Sequence, residues 1–327
     1  MYETQGNRFI FRLHIAGIPA TAILQNSTPR KLIRIPLSTL SSLGTHDDMG
    51  APNAIRVILL LLSAASFVPQ YSRILSRRDC VGLAPNYILF NLIVATQQFS
   101  LGLYYVVAND EVDYVVHSPP TLGDWLNLAQ FTVVWVGHLV LSVKPDLSNL
   151  WGSSSFGAYL FYPPSSPGPK TTILSIYIAF LLISVAPVIF MAFLPPTGTD
   201  PNRDRRWISA IFANTSGLLI NPIVTALAIA AYFPQARELR SRPDVGALSV
   251  LGLAVQASVF LIVSIIWPLR MELPRGVSFS VWYQFAGWAT VDNLIFAFVQ
   301  AVLWWIARRF GRAVSEEPSE AAPLMGE

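Results

Sequence analysis

Charged residues and cysteines are scarce in this sequence. Charged side chains make up 13% of the 327 residues and hydrophobic ones 53%, whereas a soluble globular protein usually carries about 25% charged residues. The single cysteine, Cys80, excludes an intrachain disulfide, and the sequence holds no CxxC motif and no His/Cys cluster. It therefore predicts neither a metal site nor a cofactor.

The motifs of common enzyme classes are also missing. There is no GxSxG, no HExxH and no glycine-rich phosphate-binding loop, so we expect no enzyme activity and no ATP-driven transport by this chain alone. The net charge is only +3, and the basic residues form short clusters between apolar runs. This pattern is typical of membrane loops and argues against nucleic-acid binding.

Long apolar runs are what the sequence has in abundance. A helix needs about 20 mostly apolar residues to cross a bilayer and contact its lipid. Seven runs qualify: 55–74, 85–107, 125–143, 171–195, 207–235, 247–268 and 280–307. The third run is the weakest because Asn127, Gln130 and His138 dilute it, so six spans are the alternative.

The distribution of Lys and Arg between the loops predicts the orientation. One side carries eleven of them: Arg73, Arg77, Arg78, Lys144, Lys170, Arg237, Arg240, Arg242, Arg308, Arg309 and Arg312. The other side carries five, with Arg56 at the edge of the first span: Arg203, Arg205, Arg206, Arg270 and Arg275. The richer side is expected in the cytosol, so seven spans give a cytosolic C-terminus and a lumenal or extracellular N-terminus.

A segment of the chain is repeated. Residues 68–84, VPQYSRILSRRDCVGLA, match residues 233–249, FPQARELRSRPDVGALS, at a constant offset of 165 positions, and the same offset carries Asn91 onto Gln256. Spans one to three therefore pair with spans five to seven, and span four is a connector. The predicted fold is all-α, with seven transmembrane helices as two parallel three-helix bundles joined by a linker helix (3+1+3). A duplication without transport, as in a receptor, is the alternative.

These patterns divide the chain into five segments. They are an N-terminal extension (1–53), a first repeat (54–144), a linker helix (171–196), a second repeat (207–309) and a disordered cytosolic tail (310–327). Residues 1–48 are interpreted as a disordered tail, with a targeting segment or a mispredicted start as alternatives. In the C-terminal tail, Glu320, Leu324 and Met325 resemble an acidic dileucine signal for cytosolic sorting machinery, a short pattern that also arises by chance.

The repeated Pro-Gln pairs have a mechanical interpretation. Pro69 and Pro234 each remove a backbone hydrogen bond inside a helix and clash with the carbonyl four residues back. The adjacent Gln70 and Gln235 offer partners for the freed backbone groups. We predict two matched hinges near the cytosolic ends, with a plain helix stop as the alternative.

Three polar residues at membrane depth are the candidate solute site. Asp292 lies near the middle of the seventh run, where a charge is costly unless it faces a cavity or a partner. It is predicted to couple protons or bind a substrate amine. Asn91 and Gln256 are amides at mirrored positions that suit hydrogen bonding to an amino acid or a sugar. The alternatives are a carboxyl satisfied by a neighbour and amides that join helices.

This arrangement resembles the PQ-loop repeat family, which includes the lysosomal cystine carrier, vacuolar cationic amino acid transporters and, more distantly, the SWEET sugar transporters. The resemblance rests on Val68-Pro69-Gln70 and Phe233-Pro234-Gln235, each followed by a short basic loop, and it covers about 55–307. It implies seven spans with the Pro-Gln loops in the cytosol. Asn91 matches an asparagine of the cystine carrier branch, whereas Gln256 stands where that branch has an aspartate, and a glutamine does not titrate.

The expected function is secondary transport of a small polar solute, alone or together with protons, by alternating access between the repeats. The resemblance implies an amino acid as cargo and a vacuolar or lysosome-like membrane as location. A sugar is the second cargo. A non-transporting membrane receptor or adaptor is the alternative from another class.

Overall fold

The protein was analysed as a computed structural model, which describes residues 52–77, 79–107, 116–117, 119–140, 170–193, 203–242, 244–271 and 278–315. The predictions for residues 1–51, for Arg275 and for Glu320, Leu324 and Met325 lie outside these residues. Every regular element in the described ranges is helical. The helices are α1 (Asn53–Arg77), α2 (Pro85–Val107), α3 (Leu122–Val140), α4 (Lys170–Ser184), α5 (Ala186–Phe193), α6 (Arg203–Thr215), α7 (Asn221–Ala230), α8 (Tyr232–Arg240), α9 (Val250–Ile266), α10 (Phe279–Trp282) and α11 (Trp288–Ser315).

Several of these helices join end to end into longer rods. A π-helical turn, Ser216–Ile220, connects α6 to α7, and a second one, Tyr283–Gly287, connects α10 to α11. A 3₁₀ turn, Trp267–Arg270, extends α9. The last helix continues to Ser315, beyond the predicted end of the second repeat.

Five helical segments are long and apolar enough to span a membrane: Asn53–Arg77, Thr171–Phe193, Trp207–Arg240, Val250–Arg270 and Trp288–Arg309. Their outward faces carry large apolar side chains, including Leu61, Leu218 and Phe298, which are 63%, 55% and 69% exposed. Such a surface fits a lipid environment and would be unusual for a water-soluble chain. The described part of the protein is therefore all-helical and of membrane type.

Helices α2 and α3 do not belong to these five segments because polar residues dilute them. Their polar side chains nevertheless point into the protein: Gln97 and Gln98 of α2 and Gln130 of α3 are 1%, 4% and 2% exposed. Most residues of α2 are buried, so this helix runs through the middle of the bundle. Burial against other helices is how polar side chains are accommodated in membrane proteins.

We call α1, α2 and α3 the first helix group, and the α6–α8 rod, α9 and α11 the second. The third helix of each group packs against the other two. Helix α3 contacts α1 and α2, and α11 contacts α7 and α9. Between the groups, α1 packs on α9, and α2 packs on α7 and α8. Small residues permit close approach at α3: a Cβ on Gly137 would lie 2.8 Å from the Phe67 ring.

Candidate functional site

The loop between α1 and α2 (residues 79–84) and the loop between α8 and α9 (residues 244–249) meet at one end of the bundle. The Ala247 N–H donates to the Val81 carbonyl at 2.6 Å. Arg73 and Arg77 of α1 also donate to the Gly246 carbonyl, at 3.0 and 3.2 Å. The two repeated segments, 68–84 and 233–249, are therefore in direct contact.

Each Pro-Gln glutamine binds the loop that follows the other one. Gln70 Nε2 donates to the Ala247 carbonyl at 2.9 Å, and its Oε1 accepts from the Ser249 N–H at 2.8 Å. Gln235 Nε2 donates to the Gly82 carbonyl at 2.7 Å, and its Oε1 accepts from the Ala84 N–H at 2.9 Å. We call these four hydrogen bonds the glutamine clamp.

The two halves of the clamp are equivalent under the sequence repeat. Gly82 corresponds to Ala247, and Ala84 to Ser249, at the same offset of 165 positions that relates Gln70 to Gln235. Both glutamine side chains are buried, at 6% and 0% exposure. An amide offers one acceptor oxygen and two donor hydrogens, so it can satisfy a carbonyl and an N–H together. Each glutamine thus pairs with one carbonyl and one N–H of a loop backbone. Without it, these two buried groups would lack a hydrogen-bond partner.

Two glycines allow the loops to touch. Gly82 and Gly246 have φ angles of +93° and +58°, in the left-handed region where glycine is favoured. A Cβ on Gly82 would lie 2.7 Å from the Val245 carbonyl oxygen, and one on Gly246 only 2.1 Å from the Val81 carbonyl oxygen. A side chain at either position would therefore separate the loops.

Cys80 lies in the α1–α2 loop and belongs to an apolar cluster that includes Leu239 of α8 and Leu248 of the α8–α9 loop. The residue is 7% exposed. Burial raises the pKa of its thiol to about 11, and the negative charge of Asp79 acts in the same direction. The thiol is therefore neutral at physiological pH, which makes it a poor nucleophile.

The sequence-predicted amides Asn91 and Gln256 line one small cavity. Its walls include Gln70, Tyr87, His138 and Leu253, so it begins directly beneath the glutamine clamp. The volume of this cavity is about 20 Å³, which suffices for about one water molecule. Asn91 Nδ2 donates to the Tyr87 carbonyl of its own helix at 2.9 Å, which leaves its Oδ1 available to the cavity.

Asp292 does not line this cavity and lies among a different set of polar groups. Its Oδ1 accepts a hydrogen bond from the Thr225 hydroxyl at 2.5 Å, and Gln98 is a second partner. The Thr225 hydroxyl also lies 2.7 Å from the Tyr283 hydroxyl. Gln98 follows Asn91 by seven residues on α2, so the two sites are separated by about 10 Å along that helix. Thr225, Tyr283 and Gln98 were not predicted as site residues.

Further buried polar groups lie on the same helices as Asp292 and its two partners. Gln97 Nε2 donates to Asn221 Oδ1 at 3.1 Å, while Gln97 Oε1, Asn221 Nδ2 and Thr290 Oγ1 are buried without a hydrogen-bond partner. The two π-helical turns flank this region, since Gly217 of the first lies against Gln284 of the second. Such turns occur frequently at functional sites because they shift the backbone register of a helix.

A third polar cluster lies at the opposite end of α9 from the clamp. Arg270 Nη1 donates to Asn127 Oδ1 at 3.0 Å and to Gln130 Oε1 at 2.7 Å. Gln130 Nε2 in turn donates to the Ser63 hydroxyl at 3.1 Å. The sequence pattern predicts Arg270 only as a loop charge. The sequence feature that indicates this cluster is the presence of two amides, Asn127 and Gln130, within the third apolar run.

No family model, curated protein or solved structure matches this chain. The clamp, the cavity and the Asp292 network therefore carry the functional argument. Within the described residues, no group of three or more His, Cys, Asp and Glu side chains could hold a metal ion.

Proposed function

We propose that this protein is a secondary transporter of a small polar solute, most simply an amino acid, with the 3+1+3 architecture of the PQ-loop repeat family. The observation that carries the proposal is the glutamine clamp. It joins two repeated segments through matched hydrogen bonds at one end of a bundle. Buried polar residues extend from this contact into the interior.

The repeat extends beyond the clamp to the helices themselves. Helix α2 begins at Pro85 and α9 at Val250, which are 165 positions apart. The packing is repeated as well, since α3 and α11 each lie against the other two members of their group. These features support two parallel three-helix repeats, with a solute site between them near the bilayer midplane.

In this proposal the clamp is the closed gate on the cytosolic side. The four hydrogen bonds and the loop contact seal that end, and Pro69 and Pro234 let α1 and the α7–α8 rod bend when it opens. Pro69 lies inside a continuous α1, whereas Pro234 follows a break between α7 and α8 at Ala231. The Asn91–Gln256 cavity becomes accessible when the loops separate, and Asp292 provides the carboxyl group that couples protons or binds an amine. A vacuolar or lysosome-like membrane is the proposed location.

A counterflow experiment tests the proposal. The purified protein in liposomes is preloaded with unlabelled solute, and entry of labelled amino acids or sugars is followed with and without a pH gradient. Amino acid entry above that of empty liposomes supports the carrier. Absence of flux for all amino acids and sugars, together with capture of a cytosolic partner by the loops, would support the receptor or adaptor instead.

A further inference from the structure

Arg270 presents two buried hydrogen-bond donors that have no acceptor. The residue is 5% exposed, and its Nη1 is occupied by Asn127 and Gln130. Its Nε and Nη2 atoms are buried and make no hydrogen bond. A buried donor without a partner is strongly unfavourable, more so for a charged group. An ion pair to Arg270 is also absent among the described residues.

A third free donor comes from the residue one turn earlier. Trp267 is 2% exposed, and its indole Nε1 also lacks a partner. The Arg270 guanidinium lies 5.0 Å from the centre of the Trp267 ring. Three nitrogen donors without a partner thus occur together in one 3₁₀ turn, and a ligand that pairs with them has to supply hydrogen-bond acceptors.

The hydrogen bonds of Nη1 leave one edge of the Arg270 guanidinium, formed by Nε and Nη2, without a partner. Asn127 and Gln130, both on α3, accept hydrogen bonds from Nη1. The Nε–Nη2 edge that remains is one of the two edges on which guanidinium binds both oxygens of a carboxylate. The nearby cation Arg56, whose Nη2 lies 3.5 Å from the Arg270 carbonyl, adds positive potential.

We propose that Arg270 and Trp267 form a carboxylate-binding site, and that the solute carried by this protein bears a carboxylate. The substrate assignment rests on the proposed transport function, whereas the site itself does not. Helix α9 has 17 residues, so the site lies about 25 Å from the glutamine clamp. A carboxylate reaches it when the helix ends on that side separate while the clamp stays closed. The proposal favours an amino acid over a sugar, because a sugar has no carboxylate to pair with the guanidinium.

Binding to the purified protein tests the site without transport. The melting temperature is measured with increasing sodium acetate or glycine, against acetamide, glucose and sodium chloride at matched ionic strength. Acetate and glycine should stabilise the wild-type protein, whereas acetamide, glucose and chloride should not. Stabilisation by acetamide or chloride as strong as that by acetate would overturn the proposal.

Variants separate the site from general effects of charge. R270K keeps the charge but loses the planar edge, so the acetate concentration needed for half of the shift should rise about tenfold, and R270Q should abolish the shift. W267F keeps an aromatic ring but removes the N–H together with part of the indole, so it should weaken binding several-fold even if R270Q fails to fold. R237Q, the same change at an exposed arginine, should behave as wild type. Wild-type acetate response in R270K and W267F would contradict the site.

Uptake into liposomes distinguishes failure of the site from failure of the carrier. Acetate binding that depends on Arg270, without flux of any amino acid, would support the carboxylate site and contradict the transport function. Amino acid flux that is unchanged in R270K and W267F would support transport and contradict the assignment of this site to the carried solute.

Discussion

Gln235 donates a hydrogen bond to the carbonyl of Gly82 at 2.7 Å, although 153 positions separate the two residues in the chain. The mirrored bond joins Gln70 to Ala247 at 2.9 Å. If the glutamine only solvated a proline kink, another small polar side chain could replace it, since any such side chain can bind the freed backbone groups. The reciprocal bonds instead require an amide of this length at both positions, which explains why proline and glutamine recur together.

Loss of one glutamine should expose the thiol of Cys80. Gln235→Ala removes both hydrogen bonds to the α1–α2 loop that contains Cys80. In the wild-type protein the pKa of this thiol is raised from 9.0 to about 11, which lowers the thiolate population at neutral pH about 100-fold. Maleimide labelling should therefore be slow in the wild type and at least tenfold faster in Gln235→Ala.

The labelling experiment has two internal comparisons. Gln70→Ala frees the α8–α9 loop, so it should accelerate Cys80 labelling less than Gln235→Ala does. Arg237→Ala, an exposed change two residues from Gln235, should leave the rate unchanged. Equal rates in wild type and Gln235→Ala would show that the clamp does not hold this loop. Rates measured as the pH rises from 7 to 10 should increase throughout in the wild type, because the titration midpoint lies above this range.

Alanine at the two loop glycines should destabilise the protein. At Gly82 and Gly246 the positive φ angle costs about 1 kcal/mol for a non-glycine residue, and the added Cβ would meet a carbonyl oxygen at 2.7 or 2.1 Å. We expect a lower melting temperature for both variants, with Gly246→Ala the more severe. Gly217→Ala is the matched control, because its Cβ would have no neighbour closer than 3.8 Å. A loss at Gly217 as large as that at Gly246 would mean that the loop geometry is not the cause.

The sequence predicted the helices better than it predicted the contacts between them. The apolar runs and the Pro-Gln repeat follow from local patterns. Helices are present in all seven predicted runs, but among the described residues only five helical segments are long and apolar enough to span a membrane. Asn91 and Gln256 line one cavity, and their role in solute binding stays a prediction. By contrast, Thr225 and Tyr283 beside Asp292 could not be anticipated, since hydroxyl groups are common in apolar helices and their facing depends on helix rotation. Arg270 was missed because a basic residue at the end of a span is normally a loop charge.

The carboxyl group of Asp292 should be required for coupling and not for folding. Asp292→Asn keeps an oxygen that accepts from the Thr225 hydroxyl, so the network in the bundle can persist. We expect solute counterflow to continue while acceleration by a pH gradient is lost. Thr225→Val keeps the shape but removes the donor, and it should alter the pH dependence of uptake without abolishing it. Ser258→Ala, at an exposed hydroxyl, should have no effect. Full proton-driven uptake by Asp292→Asn would contradict the coupling role.

Closing the two loops covalently should stop transport reversibly. The Ala247 N–H donates to the Val81 carbonyl at 2.6 Å, so the backbones of these two residues are in direct contact, as a disulfide between them requires. Val81→Cys with Ala247→Cys, in a Cys80→Ser background, should form a disulfide on mild oxidation. If the clamp is a gate, oxidation should block counterflow and a reductant should restore it. Each single-cysteine variant should be insensitive to the oxidant. A crosslinked protein that transports at the full rate would show that these loops stay together throughout the cycle, and the gate would then have to lie elsewhere.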